Sequence, residues 1–156
     1  MVARLVGLAD SGRRELSRRG PAAPAAGGPW RCPRSDFTLA GPSISAGDGN
    51  DILDRATLDR IRADCLAGAD PGQAPQSPAY GDLRGLPPLL LAAGARELLL
   101  DDARRLAGLA SAAGVSCRLD VYDGMPHAFH ATTLPAAATL FRRVAEWTGA
   151  ESVTPA

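Results

Sequence analysis

Lysine is absent from this chain of 156 residues: all 17 basic residues are arginine, and they face 17 acidic ones. The formal net charge is therefore zero, and no general electrostatic pull toward nucleic acid or a membrane surface is expected. Long apolar runs are missing as well. The longest is too short to span a bilayer. Asp10 interrupts the apolar start where the core of a signal peptide would lie, and the Arg13-Arg14 and Arg18-Arg19 pairs are not followed by an apolar segment. These absences predict a cytoplasmic, soluble protein without membrane partners. Cysteine is scarce: Cys32, Cys65 and Cys117 are an odd number without metal-ligand spacing, which predicts reduced, structural thiols. No internal repeat is present.

The charge that is present is unevenly placed. Residues 1–35 hold seven arginines against Asp10 and Glu15, and Pro21, Pro24, Pro29 and Pro33 with Gly20, Gly27 and Gly28 cannot sustain a helix. The expected organisation is a basic, irregular or disordered arm over 1–35, one folded domain over 36–148 and a tail over 149–156. The arm carries no recognisable nucleic-acid motif, so a nucleic-acid partner is not expected.

Within the domain, Leu89 to Ala93 form a short continuous apolar run, the pattern of a strand covered on both faces. After Gly94 the spacing becomes helical. Leu99, Ala103, Leu106, Ala110 and Ala113 share one face of a helix predicted over 101–113, with Asp101 or Asp102 available as N-cap and Gly114 as the C′ residue. From Val115 the period drops to two, with Val115, Cys117, Leu119 and Val121 on one side of a second, parallel strand. Asp54 is placed to cap a helix bearing Leu58, Ile61 and Cys65. Ala137, Leu140, Phe141, Val144 and Trp147 mark one face of a terminal helix, with Pro135 in its first turn and Gly149 at its stop.

A right-handed crossover brings the ends of both parallel strands to one edge of the sheet, where open α/β sheets carry their chemistry. Glu97 lies just past the first strand. His127 lies just past the second, in the loop Asp123-Gly124-Met125-Pro126-His127. Parallel neighbours sit about 4.8 Å apart, so the two side chains are placed to meet. A carboxylate on one imidazole nitrogen fixes the tautomer and leaves the other nitrogen to act as a general base. His130 is the competing base, and Asp101 and Asp102 are the competing acids.

The residues Leu86-Pro87-Pro88-Leu89-Leu90-Leu91, Glu97-Leu98-Leu99-Leu100-Asp101-Asp102-Ala103, Ala113-Gly114-Val115 and Tyr122-Asp123-Gly124-Met125-Pro126-His127-Ala128-Phe129 resemble the C-terminal part of the hormone-sensitive-lipase-like α/β-hydrolases (α/β-hydrolase fold-3). The likeness covers roughly residues 33 to 147 and reaches back to Asp36-Phe37-Thr38-Leu39. It implies a partial α/β-hydrolase fold, with parallel strands, a crossover helix and a C-terminal packing helix. It also implies hydrolysis of small-molecule carboxylic esters by serine acyl transfer, with Glu97 as acid, His127 as base and no metal or organic cofactor. The segment containing the Asp54 helix then either walls the ester pocket or simply packs on the sheet. Most members carry Asp at the acid position, so Glu97 departs from the pattern by one methylene.

The H-G-G-G oxyanion loop and the G-x-S-x-G elbow of that family are not in the sequence. The nearest stretch is Ala9-Asp10-Ser11-Gly12-Arg13, which follows a strand-like Val2 to Leu8 and precedes a candidate helix from Arg13 to Arg18, and in which Arg13 stands where a small residue is needed. The implied alternative is a truncated, inactive remnant that binds or self-associates through an exposed sheet edge.

Overall fold

The structure is a computed structural model that describes residues 2–6, 35–46, 49, 51–74, 76–86 and 88–148. Ser11, Cys32, Gly149 and most of the predicted arm lie outside the described residues.

A three-stranded sheet in the order β1-β2-β3 forms the centre, with β1 at Val2–Val6, β2 at Leu89–Gly94 and β3 at Cys117–Tyr122. β2 and β3 run parallel in unbroken register from Leu89 opposite Cys117 to Gly94 opposite Tyr122. The other edge of β2, expected to be open, is paired antiparallel by β1, with Val2 opposite Ala92 and Val6 opposite Leu90. Val2–Val6 falls within the strand-like stretch Val2 to Leu8, inside the arm otherwise expected to be irregular.

Every residue of β2 is buried. Leu89 and Leu91 on one face join Leu106, Ala110 and Val115. Ala92 on the other face meets Phe129 and Leu140. A strand covered on both faces has no polar side to offer, which is why its sequence is apolar without alternation.

The crossover helix α3 spans Leu100–Ala112, after α1 (Pro42–Ser45) and α2 (Arg55–Leu66). Its predicted apolar face is the buried one: Leu99, Ala103, Leu106 and Ala110 are each at most 3% exposed. Its C-terminus closes as a Schellman motif, with Val115 N–H on the carbonyl of Ala110 and Gly114 N–H on that of Ser111. Gly114 sits at φ +75°, as the motif requires. The start differs from expectation. Leu99 occupies the N-cap without a side-chain bond, and the helix begins at Leu100. Asp101 instead accepts the Ser43 N–H of α1 at 2.7 Å, while the Ser43 hydroxyl donates to the Leu98 carbonyl at 2.6 Å. A tertiary donor outcompetes the local one because α1 packs directly on this turn.

Asp54 caps α2 as predicted, accepting Thr57 N–H at 2.7 Å. Cys65 of this helix is disulfide-bonded, which corrects the expectation that it is reduced. Bond formation depends on spatial proximity, which counting cysteines does not reveal. Cys117 is free, as expected.

The last helix, α4 at Pro135–Thr148, starts at its proline and packs through Ala137 and Leu140. Phe141 is 55% exposed rather than buried. At 100° per residue it lies about a quarter turn from the midpoint of Ala136, Leu140 and Val144, which face the sheet. Val121, also expected inside, is 42% exposed. β3 is an edge strand here, and α4 covers its opposite face through Tyr122. Asp36, itself 2% exposed, receives Arg105 of α3 at 2.6 Å, and that guanidinium stacks over Tyr80 at 4.6 Å. The segment entering the domain is thereby fastened to the crossover helix. Among the described residues, no helix is long and apolar enough to cross a membrane.

Candidate active site

Because Gly94 and Tyr122 are register partners, β2 and β3 end side by side and their following loops start in contact. Ala95 N–H donates to the Tyr122 carbonyl at 2.8 Å, and Arg96 N–H donates to the Met125 carbonyl at 3.1 Å. Backbone hydrogen bonding thus extends one step beyond the strands. Gly124 at φ +69° reverses the second loop, and Met125 and Phe129 anchor it against the core. His127 is carried back toward the first loop.

Glu97 and His127 meet there. Oε2 of Glu97 lies 3.3 Å from Nδ1 of His127, and Oε1 accepts the Gly94 N–H at 2.7 Å. The Glu97 side chain is 1% exposed and the imidazole 17%. The acid is therefore sealed inside while the ring reaches from it toward solvent. The extra methylene of glutamate is absorbed by folding the side chain back onto the amide of Gly94, three residues earlier. Burial pushes the Glu97 carboxyl above its ordinary value, partly offset by the Gly94 hydrogen bond. A carboxylate on Nδ1 favours the tautomer with its proton there, the arrangement in which Nε2 is the nitrogen open to exchange a proton.

The competing residues stand elsewhere. Asp101 is engaged by Ser43 and, at 3.1 Å, by Arg104. Asp102 is 2% exposed and lines a cavity of about 180 Å³ with Asp36, Gly41 and Arg105, apart from Glu97 and His127. His130 falls in the 3-10 turn Phe129–Ala131, beyond the loop tip. Among the described residues no group of three or more metal-ligating side chains is assembled.

Two residues that the sequence did not point to belong to this site. Asp51 accepts Leu98 N–H and His127 N–H, each at 2.8 Å. Gly94 lets the loops close: a Cβ there would collide with the Met125 carbonyl and lie 2.9 Å from that of Pro126. Gly94 carried a signal, as a glycine ending a buried strand. Asp51 carried none, because a lone Asp in a turn-rich segment looks like any solvated turn residue.

Residues 13–131 match the Abhydrolase_3 family, described by its alpha/beta hydrolase fold. An acetyl-hydrolase of Streptomyces hygroscopicus is 39% identical over 128 residues, which is 80% of this chain and 42% of the relative. An esterase from the bacterial hormone-sensitive lipase family superposes with a TM-score of 0.68 at 41% identity, over 72% of this chain and 39% of that one. A hormone-sensitive lipase from a metagenome library gives a TM-score of 0.71 at 34% identity, over 74% and 41%. The chain spans less than half the length of each of these relatives. With its crossover unit, its paired loops and this match over most of its length, the chain belongs to the hormone-sensitive-lipase-like esterase family of α/β-hydrolases.

Proposed function

We propose that this chain provides the acid and base of a serine-type ester hydrolase, with Glu97 orienting His127 and small-molecule carboxylic esters as substrates. The observation that carries the reading is the 3.3 Å approach of the His127 Nδ1 to a carboxylate that is almost wholly buried. With its proton held on Nδ1, the ring accepts the proton of an attacking serine at Nε2 and then returns it to the departing alcohol. Water, deprotonated by the same nitrogen, adds to the acyl group, and the carboxylic acid leaves with regeneration of the serine. The acetyl-hydrolase and the esterase named above support an ester as the substrate class.

A second reading is favoured by a specific observation: the 156 residues contain neither G-x-S-x-G nor H-G-G-G. Unless another segment or chain supplies oxyanion donors, about 3 kcal/mol or more of transition-state stabilisation is missing. On this reading the chain is an inactive module that pairs with another chain through a sheet edge other than that of β2, which β1 occupies.

Hydrolysis of short-chain p-nitrophenyl esters separates the two. The esterase reading, with Ser11 or a serine of a partner chain as the nucleophile, expects turnover that is lost in His127→Ala and Glu97→Gln, and in Ser11→Ala where Ser11 is that nucleophile. No turnover by the purified chain, with self-association on size-exclusion chromatography, supports the second reading. Turnover that survives His127→Ala contradicts the first. Reading the coding sequence upstream of codon 33 in all three frames for G-D-S-A-G and H-G-G-G tests whether the Arg-rich arm is an out-of-frame translation.

A further inference from the structure

We propose that Asp51 is a positioning residue whose single carboxylate locks the loop bearing Glu97 to the loop bearing His127, and so sets the distance between acid and base. The inference rests on the reading of those two side chains as an acid–base pair.

The contacts define the role. Oδ2 of Asp51 accepts the N–H of Leu98, the residue after Glu97, at 2.8 Å. Oδ1 accepts the N–H of His127 itself at 2.8 Å, and that of Ile52 at 2.8 Å. The two bridged amides belong to different loops, and Asp51 comes from a third segment, 47 residues from Leu98 and 76 from His127 in sequence. The carboxylate of Glu97 is already fixed on its own loop by the Gly94 N–H. The remaining variable in the pair is where the His127 backbone stands, and beyond the Arg96–Met125 backbone bond at the base of the loops it is Asp51 that holds it. Helix capping falls to Asp54, three residues on, so Asp51 is not engaged in starting α2.

Both bridged groups are N–H donors, so the bridge needs two acceptor oxygens. A carboxylate has them, whereas an asparagine of the same shape offers one oxygen and turns an NH2 toward the other donor. Asp51→Asn is therefore a test that keeps size and changes acceptors.

In the folded full chain, Asp51→Asn is expected to speed amide exchange at Leu98 or His127 by about tenfold or more. It is also expected to broaden or abolish the His127 Nδ1–H signal in ¹⁵N-edited spectra, with little change in helix content. Where turnover is measurable, kcat falls by up to about 10²-fold while KM holds, as expected of a small misplacement of reacting groups. A folded Asp51→Asn protein with unaltered exchange and an unaltered imidazole signal overturns the proposal. If the variant does not fold, the wild-type chain decides: couplings across the hydrogen bonds from the His127 and Leu98 nitrogens to the Asp51 carboxyl carbon support it, and their absence refutes it. These spectra need no turnover, so a chain that hydrolyses nothing still tests Asp51, and a failure at Asp51 leaves the esterase reading standing.

Discussion

Gly94 and Met125 approach so closely that no side chain fits between them: a Cβ on Gly94 would run into the Met125 carbonyl. The obstacle is backbone, which cannot swing aside, so Gly94→Ala must push the two loops apart. A destabilisation toward the upper end of about 1–3 kcal/mol is expected, read as a lower urea midpoint at unchanged slope. Gly108 provides the contrast. It lies inside α3, and beyond the backbone of that helix nothing stands within 4 Å of where a methyl group would sit. Gly108→Ala is expected to stabilise by about 0.5–1 kcal/mol. Equal effects at the two glycines would contradict the close-approach argument.

Glu97 gives a pH dependence whose sign follows from burial. Its carboxyl is raised above the ordinary value of 4.5, so the folded state holds that proton more tightly than the unfolded chain does. Its contribution to stability is fully present below the unfolded value and lost as pH rises through the folded one. Making the Glu97→Gln comparison on a His127→Gln background removes the neighbouring imidazole titration. The Tm of the protein that keeps Glu97 should fall relative to that of the Glu97→Gln variant as pH rises above the ordinary value of 4.5. A flat difference would contradict the sign.

Phe129 supports the histidine loop from below. It is 3% exposed, packs with Ala92 and Leu140, and sits 4.9 Å from the Tyr122 ring. Phe129→Ala is expected to cost about 3–5 kcal/mol, measured by urea unfolding. A loss below about 1 kcal/mol would mean that the site collapses without consequence.

What the sequence made legible was whatever depends on local pattern. The buried strand Leu89–Gly94, the apolar face of Leu100–Ala112 and the Gly114 stop follow from periodicity and glycine chemistry. The meeting of Glu97 and His127 follows from parallel strands ending together. Contacts that depend on distant segments were not legible. Asp101 bonds to Ser43, 58 residues away, instead of capping its own helix. The antiparallel partner of β2 comes from the chain's start. Cys65 is bonded and Asp51 bridges two loops for the same reason: each depends on a neighbour that sequence spacing does not name. Phe141 and Val121 show that apolar spacing gives a face but not its width.

The tautomer of His127 tests the acid–base account most directly. In ¹⁵N-edited spectra of the neutral ring, the account predicts a proton on Nδ1, with a downfield signal that disappears in Glu97→Gln. A wild-type ring protonated on Nε2, or an Nδ1 proton signal indifferent to Glu97→Gln, would contradict it.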